Sequence, residues 1–119
     1  MKPVISIDFK KDRIRVHKIT LHLIGDPEYI LLLVNPEERT IAIVKSEHSV
    51  PKAIRIPKLI YADEHCFEIY SKTLLAGLMK LCAQWKNNKT YRIEGEVVRD
   101  GEVTVFNTNN FVLISEMQG

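Results

Sequence analysis

The chain has 119 residues, of which 45% are hydrophobic and 27% are charged, and its net charge is +2 at pH 7. A chain of this length buries enough apolar surface to fold without disulfide or metal crosslinks, and this composition excludes disordered and fibrous proteins. Because the net charge is small, a nucleic-acid partner has to be argued from local charge rather than from the global field.

The first residues carry no recognisable targeting segment. Residues 1–8 contain no long apolar run and no small-residue cleavage site, and no window of the chain reaches the ~18 uninterrupted apolar residues of a membrane span. Cys66 and Cys82 are the only cysteines, and without a secretion signal they are interpreted as reduced thiols. We therefore expect a cytoplasmic protein without a membrane partner.

The chain opens with two predicted strands and a helical turn. Alternating apolar and polar residues predict strands at 4–9 and at 13–18, with Ile14 and Val16 facing inward on the second strand. Residues 20–25 then predict one helical turn, which ends at a glycine.

A hairpin follows the helical turn. Residues 29–34 are almost wholly apolar, which is typical of a strand covered on both faces. Residues 35–38, Asn-Pro-Glu-Glu, favour a tight turn, and the return strand carries Ile41 and Ile43. The next residues lack a clean period and predict a connector, with an edge strand at 53–56.

A second set of elements begins with an alternating strand at 66–70. Ser71 or Thr73 can cap the helix that follows. We predict that this helix ends near Asn87-Asn88, because apolar residues recur on one helical face. The residues of that apolar stripe are Leu74, Leu75, Leu78, Leu81, Cys82 and Trp85.

The chain closes with a hairpin and one more strand. Asp100-Gly101 is the pair typical of a two-residue type I′ turn, between arms at 91–99 and 102–106. In this register Arg99 and Glu102 stand opposite each other. Residues 107–110 predict a further turn, and 111–114 a last apolar strand.

These elements predict one α+β domain, mostly β, that spans residues 1–119. Two strand-turn-hairpin units, 1–45 and 66–115, are joined by a connector at 46–65, and one amphipathic helix packs on the sheet. Genuine duplication and chance similarity both remain compatible with this pseudo-repeat. The predicted core consists of Ile14, Val16, Leu32, Val34, Ile41, Ile43, Leu78, Leu81 and Val105.

The candidate functional surface is a run of basic residues on the second strand and just beyond it. Their side chains can neutralise backbone phosphates of a nucleic acid, although charged side chains also protect solvated strand edges. Because side chains on the outward face of a strand contribute little to the core, single substitutions there should change stability by less than about 0.5 kcal/mol. The nucleic-acid-binding residues predicted in this way are Lys11, Arg13, Arg15 and Lys18.

The residues 16–25, Val-His-Lys-Ile-Thr-Leu-His-Leu-Ile-Gly, resemble the motif of AbrB-type swapped-hairpin transcription factors. Two such units in one chain resemble the MraZ-type branch of that superfamily. Three residues match the motif by spacing: Lys18, Ile24 and Gly25. His17 replaces a proline, and Leu21 and His22 stand where arginine is expected. The resemblance implies a tandem swapped-hairpin fold, a homo-oligomer, and DNA binding through the basic strand and turn.

The sequence shows no catalytic constellation, metal-ligand spacing or phosphate-binding glycine loop, so we expect no enzyme, no cofactor and no small-molecule ligand. Trp85 and Tyr91 could line an aromatic ligand patch, but closing the core is the favoured interpretation. The leading functional hypothesis is a small nucleic-acid-binding regulator. The alternative is a protein-interaction or scaffold module, for example of a mobile element, that uses an exposed strand edge.

Overall fold

The computed structural model describes residues 1–62 and 66–114, and these ranges contain ten strands and three helices. The helices are α1 (Lys18–Leu23), α2 (Lys58–Ala62) and α3 (Lys72–Leu81). The strands are β1 (Val4–Asp8), β2 (Arg13–Val16), β3 (Tyr29–Asn35), β4 (Thr40–Ser46), β5 (Ile54–Arg55), β6 (Phe67–Tyr70), β7 (Thr90–Glu94), β8 (Glu96–Val98), β9 (Val103–Asn107) and β10 (Phe111–Ile114).

The strands form two antiparallel sheets of five strands each. Sheet A has the order β10-β7-β1-β2-β6, and sheet B has the order β5-β3-β4-β9-β8. Strand residues outnumber helix residues by about two to one, at 41% and 19%. The predicted α+β, mostly β class is therefore confirmed.

A single cluster of buried side chains joins the two sheets. Ile5, Ile7 and Ile14 of sheet A and Ile43 and Phe106 of sheet B have no exposed surface. These residues alternate with outward-facing ones along their strands, as half-buried strands require. The helices α1 and α3 pack on β1 and β2 of sheet A.

The chain crosses from sheet A to sheet B at Gly95, between β7 and β8. A Cβ atom at this position would lie 2.3 Å from the carbonyl oxygen of Val105 and 2.6 Å from Cδ2 of Phe106. Two backbones can come this close only where one of them has no side chain. Gly95 also donates its backbone N–H to the carbonyl of Pro3 at 2.9 Å, which fixes the crossing point.

The two hairpins of sheet B have the same register. In the first, Asn35 pairs with Thr40 and Leu33 with Ala42. The second hairpin repeats both pairs at a constant offset in the sequence, since Val98 pairs with Val103 and Glu96 with Val105. The hairpins lie side by side through the β4–β9 ladder, and β2 pairs with β6 in sheet A.

Most predicted elements are present, with small differences in their ends. Ser71 caps α3 as predicted, since its Oγ accepts from the backbone N–H of Leu74 at 3.1 Å. The turn at Asp100-Gly101 has positive φ at both residues (55° and 85°), and Glu102 donates its N–H to the carbonyl of Arg99 at 3.2 Å. A type I′ turn requires these features. Arg99 also has a positive φ (53°), however, and the strands end at Val98 and Val103, so Arg99 and Glu102 belong to the turn and are not the predicted cross-strand pair.

Two predictions about elements were wrong. The helix α3 ends at Leu81 rather than near Asn87-Asn88, because Cys82 and Trp85 keep the apolar spacing while lying in the loop beyond the helix. The predicted arm 91–99 is not one strand, because it is divided between two sheets at Gly95.

The predicted connector contains the edge strand β5 and also the unpredicted helix α2. Residues 63–65 of that connector, and residue 115 at the end of the second unit, lie outside the described residues. Of the predicted core, Ile14, Val16, Ile41, Ile43 and Leu78 are buried. The remaining members are only partly buried: Leu32, Val34, Leu81 and Val105.

Candidate nucleic-acid interface

Two lysines line a groove at one end of sheet A, and other lysines occur in the neighbouring turns. The groove has a volume of about 400 Å³, and its lining combines Lys72, Lys80 and Asp12 with apolar side chains of α3 and with Phe9, the residue after β1. Asp12 is the only acidic residue among the described residues that line it. We define the lysine cluster as Lys10, Lys11, Lys72, Lys80, Lys86 and Lys89.

Strand pairing brings these lysines together from four parts of the chain. Phe9 donates its backbone N–H to the carbonyl of Lys89 at 2.9 Å, so the turn after β1 lies beside the turn before β7. Ser71 donates its N–H to the carbonyl of Asp12 at 3.1 Å, which places the start of α3 beside the start of β2. Lys11 therefore lies next to Lys72, and both side chains are exposed.

The groove has an apolar floor. Leu75, Ala76 and Met79 of α3 line it together with Phe9, and Lys72 and Lys80 flank them on the same helical face. Lys72 is also the first residue of α3, where the partial positive charge of the helix N-terminus adds to the field. The combined charge favours anions along this end of the sheet.

The four sequence-predicted contact residues do not share one surface. Lys11 lies in the lysine cluster, whereas Lys18 begins α1 beyond the other end of β2. At ~3.3 Å per strand residue these two positions are on the order of 20 Å apart. Arg13 and Arg15 lie between them, on the face of sheet A that points away from the core.

Arg13 is held in an ion-pair network on that outer face. Its Nε lies 2.9 Å from Oδ2 of Asp8, and its Nη1 lies 2.5 Å from Oε2 of Glu68. The side chains of Arg13 and Asp8 are 14% and 7% exposed. The guanidinium of Arg13 is therefore paired with two carboxylates of its own chain. A substitution of Arg13 should lower the stability of the fold, contrary to the expectation from the sequence.

Asp8 also organises the turn that carries Lys10 and Lys11, since its Oδ1 accepts from both of their backbone N–H groups. Burial acts to raise the pKa of Asp8, but the hydrogen bonds from Arg13 and from these two amides outweigh it and lower the pKa below 3.8. Asp8 is thus charged at neutral pH, and it links the ion-pair network to the position of the lysine cluster.

Arg15 is less tightly held than Arg13. Its Nε lies 3.5 Å from Oε2 of Glu68, and its side chain is 40% exposed. Beside it, Ser6 Oγ and His17 Nε2 share a hydrogen bond of 2.8 Å. Ser6 is only 6% exposed, so this serine-histidine pair is shielded from a substrate and joins β1 to the residue after β2.

The pH dependence of stability should report on His17. Its pKa is lowered from 6.5 by burial and by the nearby charges of Arg92 and Arg15. The unfolded chain binds the proton more readily, so the free energy of unfolding should fall as the pH drops below 6.5.

Urea denaturation at neutral and mildly acidic pH would measure this effect. The loss on acidification should be smaller in His17→Gln, since glutamine can still hydrogen-bond to Ser6 without titrating. Equal losses in the two proteins would show that other groups determine this pH response.

Trp85 and Tyr91 belong to the buried core, as the favoured interpretation of the sequence predicted. Their rings stack with centroids 5.1 Å apart, and each residue is 3% exposed. Phe9 and Phe111 pack edge-on against both rings. Cys66 and Cys82 are free thiols, and no group of three or more metal-ligating side chains occurs within residues 1–62 and 66–114.

Sequence reasoning found the basic run that contains Lys10 and Lys11 but did not connect it with the lysines of α3 or with Lys86 and Lys89. The signal on α3 is visible in the sequence, since Lys72, Ala76 and Lys80 recur at the spacing of one helical face. The positions of Lys10 and Lys89 relative to that face depend on the β1–β7 ladder, which joins residues far apart in the chain.

Comparison with known proteins adds no relative: no family model, no curated protein and no solved structure matches this chain. Among the helices of the described residues, none has the length and apolar character needed to cross a membrane.

Proposed function

We propose that this protein is a small, non-enzymatic nucleic-acid-binding regulator that works in the cytoplasm and contacts the DNA backbone through the lysine cluster. The observation that carries the proposal is a groove at one end of sheet A that is lined by Lys72 and Lys80 and, among the described residues, by a single acid, Asp12. The turn that carries Lys11 lies beside the start of α3, which adds a further lysine at this end. Lysine side chains bind phosphates as point charges without reading bases. The proposed contact is therefore largely independent of sequence.

The contact set in this proposal differs from the one expected from the sequence. Lys11 is kept, and Lys72 and Lys80 are added because they flank the same groove. Arg13 is left out, since both of its carboxylate partners lie within the chain.

The arrangement of strands also supports a tandem swapped-hairpin origin, which we include in the proposal. The two halves pair through β2 and β6 in one sheet and through adjacent hairpins of equal register in the other. The first half gives two strands to sheet A and the second half gives three, and each half gives one hairpin to sheet B. Such interlocking is expected if two equivalent units were fused, with the connector 46–65 between them.

Neutralising two lysines of the cluster tests the proposal. In Lys11→Gln/Lys72→Gln, binding to duplex DNA should weaken, and the slope of log affinity against log salt should fall by roughly two units, about 0.9 per lost phosphate contact. Fluorescence anisotropy with a labelled duplex at several salt concentrations measures both quantities.

The matched control is Lys52→Gln/Lys58→Gln, which removes the same charge from exposed lysines that flank β5 in sheet B. This double variant should retain the wild-type slope. If both variants lose affinity equally, the binding reflects overall charge and the assigned interface is wrong. Absence of binding by the wild type at low salt would reject the DNA-binding function itself.

A further inference from the structure

The outer face of sheet B is apolar, although it does not face the core. Strand pairing aligns Leu33 with Ala42 and Val105, and Leu31 with Val44 and Val103. Leu33 is 50% exposed, and Val98 at the end of the second row is 39% exposed, whereas Val103 between them in the sheet is only 8% exposed. The first row ends at an exposed acid, Glu96. We define the apolar face of sheet B as Leu31, Leu33, Ala42, Val44, Val98, Val103 and Val105.

This pattern departs from that of an antiparallel sheet with one wet side, in which outward positions are polar. On β3, Ile30 is fully buried inward, while Leu31 and Leu33 face outward. Both faces of the central strands are therefore aliphatic, as in strands that are covered on two sides. Apolar side chains that are exposed on a sheet face, as Leu33 and Val98 are, beside partly exposed aliphatic neighbours typically mark an interaction site.

Opposite charges at the two edges of sheet B, in one row of laterally paired residues, identify the partner. Arg55 on β5 pairs with Tyr29, which pairs with Ser46 on β4. The pairing of β4 with β9 continues beyond Val44 and Val103, since Lys45 donates its backbone N–H to the carbonyl of Glu102, and Ser46 therefore lies beside the turn that contains Asp100 and Gly101. The row thus has an exposed cation at one edge of the sheet and an exposed carboxylate at the other.

We infer that the apolar face of sheet B binds a second copy of this chain, with the two-fold axis parallel to the strands. A rotation about such an axis places β5 of one copy opposite the β8–β9 turn of the other. Arg55 of each copy then faces Asp100 of its partner, so the two ion pairs form symmetrically. A two-fold axis perpendicular to the strands would not bring these charges together.

The size of the face sets the expected strength. The strands of sheet B are two to seven residues long, and at ~3.3 Å per residue and ~4.8 Å between strands they give a footprint on the order of 400 Å² per copy. A stable interface buries about 800 Å² per partner, so the dimer should be reversible and should dissociate in the micromolar range. This inference concerns assembly and does not depend on DNA binding by the lysine cluster.

Sedimentation velocity over a micromolar to millimolar concentration series tests the face. Leu33→Glu should raise the dissociation constant by about tenfold or more, because it places a charge in the apolar contact. The control Leu59→Glu makes the same change at a residue of α2 that is 71% exposed and off this face, and it should dimerise like the wild type. A wild type that stays monomeric throughout, or that forms larger assemblies only, would overturn the inference.

Charge reversal tests the direction of the axis. Arg55→Glu should weaken the dimer, because it sets two carboxylates against each other, and adding Asp100→Lys in the same chain should restore the association. Circular dichroism checks that each variant is folded, and Arg55→Gln provides a milder change if the reversal disturbs β5. If Arg55→Glu and Arg55→Gln dimerise as well as the wild type, the strand-parallel axis is wrong.

Discussion

Replacing Gly95 with alanine is expected to lower the free energy of unfolding by more than about 2 kcal/mol, the range of a clash forced into a packed interior. The added Cβ would sit 2.3 Å from the carbonyl oxygen of Val105, which is backbone and cannot move independently of β9. The cause is space rather than backbone conformation, since Gly95 does not have a positive φ. Urea denaturation followed by circular dichroism measures the loss.

Gly77→Ala is the matched control for this prediction. Gly77 lies in the middle of α3, and a Cβ there would have no neighbour within 4 Å. Alanine should therefore stabilise the helix by about 0.5 to 1 kcal/mol relative to glycine. If the two alanine variants change stability in the same direction, the close approach at Gly95 does not constrain the sheet crossing.

Removing the Arg13 guanidinium is the second change with a large expected effect. Arg13→Met should destabilise the protein by about 3 kcal/mol, because a nearly buried Asp8 carboxylate and Glu68 lose their cation. In Arg15→Met the loss should stay below about 1 kcal/mol, since that side chain is 40% exposed and makes one 3.5 Å contact. Both variants replace an arginine with methionine on the same face of β2, so they differ only in the contacts that the arginine makes.

Acid denaturation adds an independent readout for Arg13. In the wild type the lowered pKa of Asp8 contributes stability above 3.8, and that contribution is lost as the pH falls below this value. Without Arg13, burial raises the pKa of Asp8, so part of the destabilisation in Arg13→Met should disappear on mild acidification. Equal losses in Arg13→Met and Arg15→Met at neutral pH would contradict the network.

Local patterns predicted most of the strands, because alternation reports directly which side chains are buried on a half-covered strand. The same logic misplaced the end of α3. Apolar spacing records burial rather than backbone conformation, and Trp85 is buried from a loop. The sequence around Gly95 does not predict a crossing between the sheets for a related reason. The close approach of Phe106 and the Val105 carbonyl involves residues about ten positions further along the chain.

The sequence predicted the candidate site less completely than it predicted the fold. Arg13 looks like a solvated strand residue until β6 is paired with β2, which brings Glu68 to its guanidinium. Lys11 and Lys72 become neighbours through the same ladder. Both outcomes depend on which distant strands pair, and the patterning of either strand alone does not encode its partner.

The position of β1 has a consequence for how the chain reaches its folded state. β1 precedes all the other described strands in the chain, yet it lies in the middle of sheet A between β2 and β7. One of its two edges therefore stays unpaired until residues 90–94 have been synthesised. Proteins dominated by such distant strand pairings fold in roughly milliseconds to seconds. A strand edge that stays unpaired for this time can pair with other chains. We expect truncations that remove β7 to aggregate during expression rather than to yield a smaller folded domain.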